Sequence, residues 1–411
     1  MTGRRAGGMK LPRWVMRMLP MLAAWAALLA APMALGEALK TDDVYSSIAL
    51  RPISEPNPVI GADGRTHLAY ELMVVNPSKL FVTLDKVEAL DSEGRGLWTV
   101  DGDGLAALTI AFGGTGRLLS PGGSVAVLMD VSLSEGEKVP SQVSARVTAT
   151  RQSAGEDGKP VPMPKDSPIP STFTFTGAST AVGRPAVVLE PPLEGQGWVA
   201  VNGCCDSITS HRGAVMAFNG QLRVPERFAI DWVKLDDQGR LFTGDVSQLS
   251  SYAYYGTPIH AAADGTVVNL YDEAGEQVPG ANAKGINLEN IGGNMLVIDI
   301  GGGVFTFYAH MQKGSLKVKL GDRVKAGQVI GLLGNTGNST APHLHFHVMD
   351  GPMPLDANGL PFAFTRFSSR GVLAPGSDDA IQDGKQAVID ARLVGDHAAQ
   401  LPLNNEVVDF E

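Results

Sequence analysis

The run Ala341-Pro342-His343-Leu344-His345-Phe346-His347-Val348 limits the fold more than any other stretch of the chain. Three of the eight histidines stand in it at alternate positions. Successive side chains on a strand point to opposite faces, so His343, His345 and His347 share one face while Leu344, Phe346 and Val348 share the other. On a helix, neighbours two apart point nearly opposite ways, and no histidine pair would converge. The alternation predicts a strand with one apolar face and one imidazole face able to bind a metal or move protons.

At 411 residues the chain is long enough for about two to three domains, each with its own core. The formal charge is −10, and the first 36 residues carry Arg4, Arg5, Lys10, Arg13 and Arg17 with no acid, which leaves −15 on the remainder. A body that acidic is a poor partner for nucleic acid or for anionic membrane surfaces. Residues 1–36 read as an export signal: a basic segment, an apolar run and the small residues Ala34 and Gly36 at its exit. The alternative is that the same run stays uncleaved as an anchor. From the signal an exported, periplasmic or extracellular location is expected, and no later stretch has the apolar length of a membrane-spanning helix. The two cysteines, Cys204 and Cys205, are adjacent and cannot staple distant segments. A bond between them would be strained, and their spacing does not suit a structural zinc site.

The chain reads as mainly β. Over residues 40–180, His67–Asn76, Phe81–Leu90, Ser124–Ser132, Ser144–Arg151 and Ser171–Thr176 are short β-rich runs separated by turns such as Pro121-Gly122-Gly123. Some seven strands at this spacing predict an Ig-like β-sandwich, an accessory domain in which the lone His67 is structural. Residues 181–195 read as a Pro-rich linker, 196–370 as a second domain of strands and Gly-punctuated turns, and 371–411 as a weakly structured C-terminal tail.

Ahead of the histidine strand, Tyr255–Val268 reads as two strands about an Asp-Gly turn, Gly293–Ile300 as an apolar strand and Val304–His310 as its alternating return. Gly321–Gly331 is a run of turns, and Gly334–Thr340 delivers the chain into the histidine strand. The segments Gly-Thr-Pro-Ile-His-Ala, Asp-Gly-Thr-Val-Val, Tyr308-Ala309-His310, Val-Lys-Ala-Gly-Gln-Val-Ile-Gly and Gly-Asn-Thr-Gly-Asn-Ser-Thr-Ala-Pro-His-Leu-His-Phe stand here in one order. In order and spacing, residues 250–350 closely resemble the LytM/lysostaphin-type zinc endopeptidases that cut peptidoglycan peptides. The resemblance implies an antiparallel β-sheet core of the duplicated-hybrid-motif kind, with a groove flanked by loops.

Residue by residue, it implies that His345 is a zinc ligand, that His343 and His310 are the catalytic pair, and that His347 supports the site from behind, where the family commonly has a carboxylate. Strand rise agrees with dividing these roles: residues two apart sit about 6.5–7 Å apart and His343 and His347 about 13 Å apart, while zinc binds imidazole nitrogen at about 2.0–2.1 Å. Arg227-Phe-Ala-Ile-Asp231 falls on the family's His-x-Gly-x-Asp segment, so Asp231 is the next ligand. Arg227 stands where the first zinc histidine belongs, and an arginine cannot ligate. In one repair His211, from Ser210-His211-Arg212-Gly213, supplies the missing imidazole. In the other, Arg227 pairs with Asp231 in place of the metal, and the groove binds peptidoglycan or regulates other hydrolases without catalysis. The first repair gives an exported Zn2+ endopeptidase with His211, Asp231 and His345 as ligands, acting on a peptidoglycan peptide or another protein substrate.

Overall fold

The structure, a computed structural model, describes residues 44–113, 115–205 and 208–411. The expected export signal lies outside them. Among the described residues no helix is long and apolar enough to cross a membrane. The fold is nearly all β, as expected.

The N-terminal part is two packed sheets. One is built on β1 (Thr66–Val75) and β3 (Ser124–Leu133), the other on β2 (Phe81–Leu90) and β4 (Gln142–Ala154). Alternation decides which face is inside. Leu68, Tyr70, Leu72 and Val74 of β1 meet Val82, Leu84, Val87 and Ala89 of β2 in one core. The sheets have five and seven strands, more than the pattern suggested, because edge pieces such as Leu118–Leu119 and Thr180–Ala181 are too short to show a period. His67 is buried between Asp63 and Asp130 and held by both carboxylates.

The opposite face of β1 points away from that core, and Ala69 on it joins the second core. That core lies on a twelve-stranded sheet. Its central strands are β5 (Gly195–Val201), β6 (Ile230–Lys234), β7 (Gly265–Tyr271), β8 (Asn294–Gly301), β9 (Val304–Met311), β10 (Leu344–Met349), β11 (Phe367–Leu373) and β12 (Glu406–Phe410). In space they run β7-β8-β9-β10-β6-β5-β12-β11, all paired antiparallel.

Two expectations need correcting. Residues 371–411 are not a weakly structured tail. β12 lies inside the sheet between β5 and β11, with Val407, Val408 and Phe410 buried. Five residues are too few for a visible period, and one of the two partner strands, β5, lies in a distant part of the chain, so nothing local announces it. The linker, likewise, is partly a strand: Val187–Leu189 pairs in parallel with Phe362–Phe364. Cys204 and Cys205, joined by a cis peptide, are bonded to each other and buried.

Candidate active site

Strand β10 has the two faces that its sequence predicts. Leu344, Phe346 and Val348 enter the core, where Phe346 packs on Tyr308, Phe362 and Phe364. A slip of one residue would drive the imidazoles into that core and expose the apolar set, so burial of these side chains fixes the register. His343, His345 and His347 line a cleft of about 590 Å³ together with His211, Asp231 and His310.

Register builds the centre of the site. Asp231 of β6 and Ala309 of β9 both pair with His345 of β10, so the three residues form a row across adjacent strands. His345 Nδ1 lies 3.0 Å from Asp231 Oδ1. A regular strand would send His310, the residue after Ala309, to the opposite face. Instead His310 has φ +63°, a left-handed conformation uncommon outside glycine, and its ring stands 4.5 Å from that of His343. Such conformations persist only where the surroundings enforce them and cluster at functional sites.

The imidazoles are oriented from behind by backbone carbonyls. Thr336 O lies 2.7 Å from His310 Nδ1, Ala341 O 2.8 Å from His343 Nδ1, and Ala229 O 3.0 Å from His211 Nδ1. A carbonyl only accepts, so each Nδ1 carries the hydrogen and each Nε2 is left for the cleft. The Thr336 carbonyl comes this close because the loop presses on Gly293, and a Cβ on Gly337, whose φ is +75°, would overlap the Gly293 backbone.

His211 Nε2 lies 3.3 Å from Asp231 Oδ2, and His343 Nε2 3.4 Å from Asp231 Oδ1. His211, Asp231 and His345 each offer a ligand atom within 4.8 Å of the others. Two imidazole nitrogens and a carboxylate suit zinc, and a ligating histidine ordinarily donates its other N–H to a carbonyl or carboxylate, as His211 does to Ala229. This donor set fits the metal.

Electrostatics bind the cluster together. Burial would raise the Asp231 carboxyl, but His211 and His343 outweigh it and hold it well below the usual range. Burial lowers His211, yet Asp231 brings it up to about 9, and His343 is raised in the same way. Burial, His343 and His345 push His310 well below its usual value. Burial and the neighbouring His345 do the same to His347, whose Nδ1 sits 2.9 Å from His345 Nε2.

Every candidate histidine therefore faces one cleft, but Arg227 does not. The Arg227–Asp231 pair of the alternative, non-catalytic repair is absent among the described residues. The Arg227 guanidinium runs to Glu71 of β1 and to Ser54 Oγ, and Asp231 takes its contacts from Asn202, His211, His343 and His345. The reason is that Glu71 offers a buried carboxylate to a cation that would otherwise be unpaired. Sequence reasoning missed Glu71, Arg212 and Asn202. Glu71 did leave a signal, as the one acid inside the apolar run Leu68-Ala-Tyr-Glu-Leu-Met-Val-Val75.

Residues 249–357 match Peptidase family M23. The glycyl-glycine endopeptidase ALE-1 of Staphylococcus capitis is 45% identical over 95 residues, 23% of this chain and 22% of that protein. The peptidoglycan DD-endopeptidase ShyA of Vibrio cholerae is 35% identical over 102 residues, 25% of this chain and 20% of that protein. The chain thus spans about a fifth of the length of these relatives. The catalytic domain of lysostaphin from Staphylococcus simulans aligns with 26% identity over 40% of this chain and 86% of that domain, at a TM-score of 0.21. The family match begins after His211 and Asp231 and extends beyond His345.

Proposed function

We propose, from the match of residues 249–357 to Peptidase family M23, that the chain is an exported zinc metalloendopeptidase that cuts peptide cross-links of peptidoglycan. The observation that carries the reading is the convergence of His211 Nε2, the Asp231 carboxylate and His345 Nδ1 in a cleft that His310 and His343 also line. His211, Asp231 and His345 would hold the metal. When bound there, zinc polarises a carbonyl and makes water acidic enough to be activated near neutral pH.

The other residues handle protons and charge. His310 and His343 each present Nε2 to the cleft with Nδ1–H fixed on a carbonyl. One takes the proton of the attacking water and delivers it to the amine as the C–N bond breaks. The other, in its protonated form, donates a hydrogen bond to the carbonyl oxygen as that oxygen gains charge. His347 stands behind His345 and limits its rotation. Met216, Phe218, Leu288, Met295 and Met353 give the cleft apolar walls for the peptide on either side of the scissile bond.

A glycyl-glycine endopeptidase and a DD-endopeptidase among the relatives support a peptidoglycan substrate and leave both bond types to be tried. The test is digestion of purified peptidoglycan by the full chain, following the release of new amino groups. Cleavage that a chelator abolishes and zinc restores is expected. Intact cross-links under zinc-replete conditions would overturn the reading.

A further inference from the structure

Glu71 lies on the sandwich, outside the cleft, and is fully buried. Two arginines converge on its carboxylate. Arg212 Nη1 donates to Oε1, while Arg227 donates from Nη2 to Oε2 and from Nε, which lies 3.0 Å from Oε2 and 3.1 Å from Oε1. Arg212 directly follows His211 in the chain. Arg227 comes just before Ala229, whose carbonyl receives the His211 Nδ1–H, and then Asp231. One carboxylate therefore grips both segments that bring His211 and Asp231 together.

His211 sits in a loop, not on a strand. The loop is held by Gly213 N to Thr209 O, Arg212 N to Thr209 Oγ1, Ala214 N to His211 O, Val215 N to Gly213 O and Thr209 Oγ1 to Asn202 O. His211 itself reaches Ala229 O and Asp231 through its ring, so the arginines are what add a charged grip on the backbone segments either side of that contact. Among the described residues Arg212 Nε and Arg227 Nη1 have no hydrogen-bond partner, so the guanidiniums rely on Glu71, with Met129 O and Ser54 Oγ as lesser contacts. Apolar side chains would fill the same space without the cost of burying three charges. What the charged arrangement adds is direction, because a forked guanidinium meets a carboxylate in a fixed plane.

We propose that Glu71 is a positioning residue for the metal-binding group: through Arg212 and Arg227 the sandwich sets His211 against Asp231, so that the N-terminal sheets complete the site. The inference rests on the reading that His211, Asp231 and His345 hold zinc. It makes the sandwich more than an accessory module, since separating it would release the His211 loop.

The test uses the full chain in three forms: wild type, Glu71→Gln, and a triple variant in which Glu71→Leu, Arg212→Met and Arg227→Met replace the charges by apolar side chains. Circular dichroism reports folding, chelator competition gives zinc affinity, and the visible spectrum of the cobalt-loaded protein reports ligand geometry. The expected result is a zinc affinity lowered about 10–100-fold in the folded variants, the range for losing a group that orients a ligand, with an altered cobalt spectrum. If Glu71→Gln fails to fold, the triple variant decides. Wild-type affinity and an unchanged cobalt spectrum in a folded variant overturn the inference. If wild type itself takes up no zinc, the metal reading fails first and this inference falls with it, so the wild-type arm tells the two failures apart.

Discussion

Arg227, in the turn that leads into β6, pairs with Glu71 of β1, 156 positions away in the chain, and so leaves Asp231 to the histidines. Glu71 serves two arginines, so the charges are unequal in number. Removing the carboxylate strands two buried cations, whereas removing Arg227 leaves Glu71 with Arg212. Glu71→Gln is expected to cost about 3–5 kcal/mol, the range for breaking a buried ion pair, and Arg227→Gln less. Urea denaturation of the two variants checks the order, and equal or reversed losses contradict it.

His310 and His343 are given proton-handling roles and are not counted among the ligands. Replacing either by Ala should therefore lower peptidoglycan hydrolysis by about 10²–10⁴-fold while the protein keeps its zinc. Hydrolysis rate and metal content, measured on the same samples, separate this from a ligand's loss. A variant that loses its metal would belong to the ligand set.

His67 supplies a pH dependence that is independent of the cleft. Burial works against its protonation, but Asp130 and Asp63 raise it from 6.5 to about 10. A group raised on folding adds stability that is fully present below the unfolded value and is lost as pH rises through the folded one. Stability should fall between about pH 6.5 and 10 by an amount on the order of a few kcal/mol. His67→Gln should flatten that slope. Denaturant midpoints across this range check it, and an unchanged slope in the variant counts against the ion pairs.

How much of this was legible depends on the range of the signal. The histidine strand could be read because its period of two is local and both faces are occupied. The family resemblance put an arginine at the first zinc-histidine position and made His211 one of two repairs; its Nε2 lies 3.3 Å from Asp231 Oδ2. The orienting groups behind the imidazoles could not be read. The carbonyls of Ala229, Thr336 and Ala341 belong to no particular residue type, and the left-handed turn at His310 depends on packing around it. Glu71 showed only as an acid in an apolar strand, since its partners come from the other part of the chain. β12 failed for the same reason, being too short to announce a pairing with β5.

In the proposed site His211 stands in for the ligand missing at Arg227. The most direct measurement is the zinc content of the purified full chain under metal-replete conditions, wild type beside His211→Ala. A single tightly held zinc ion in wild type, lost from a folded His211→Ala, is the predicted result. Wild type without zinc, or His211→Ala with undiminished affinity, would contradict it.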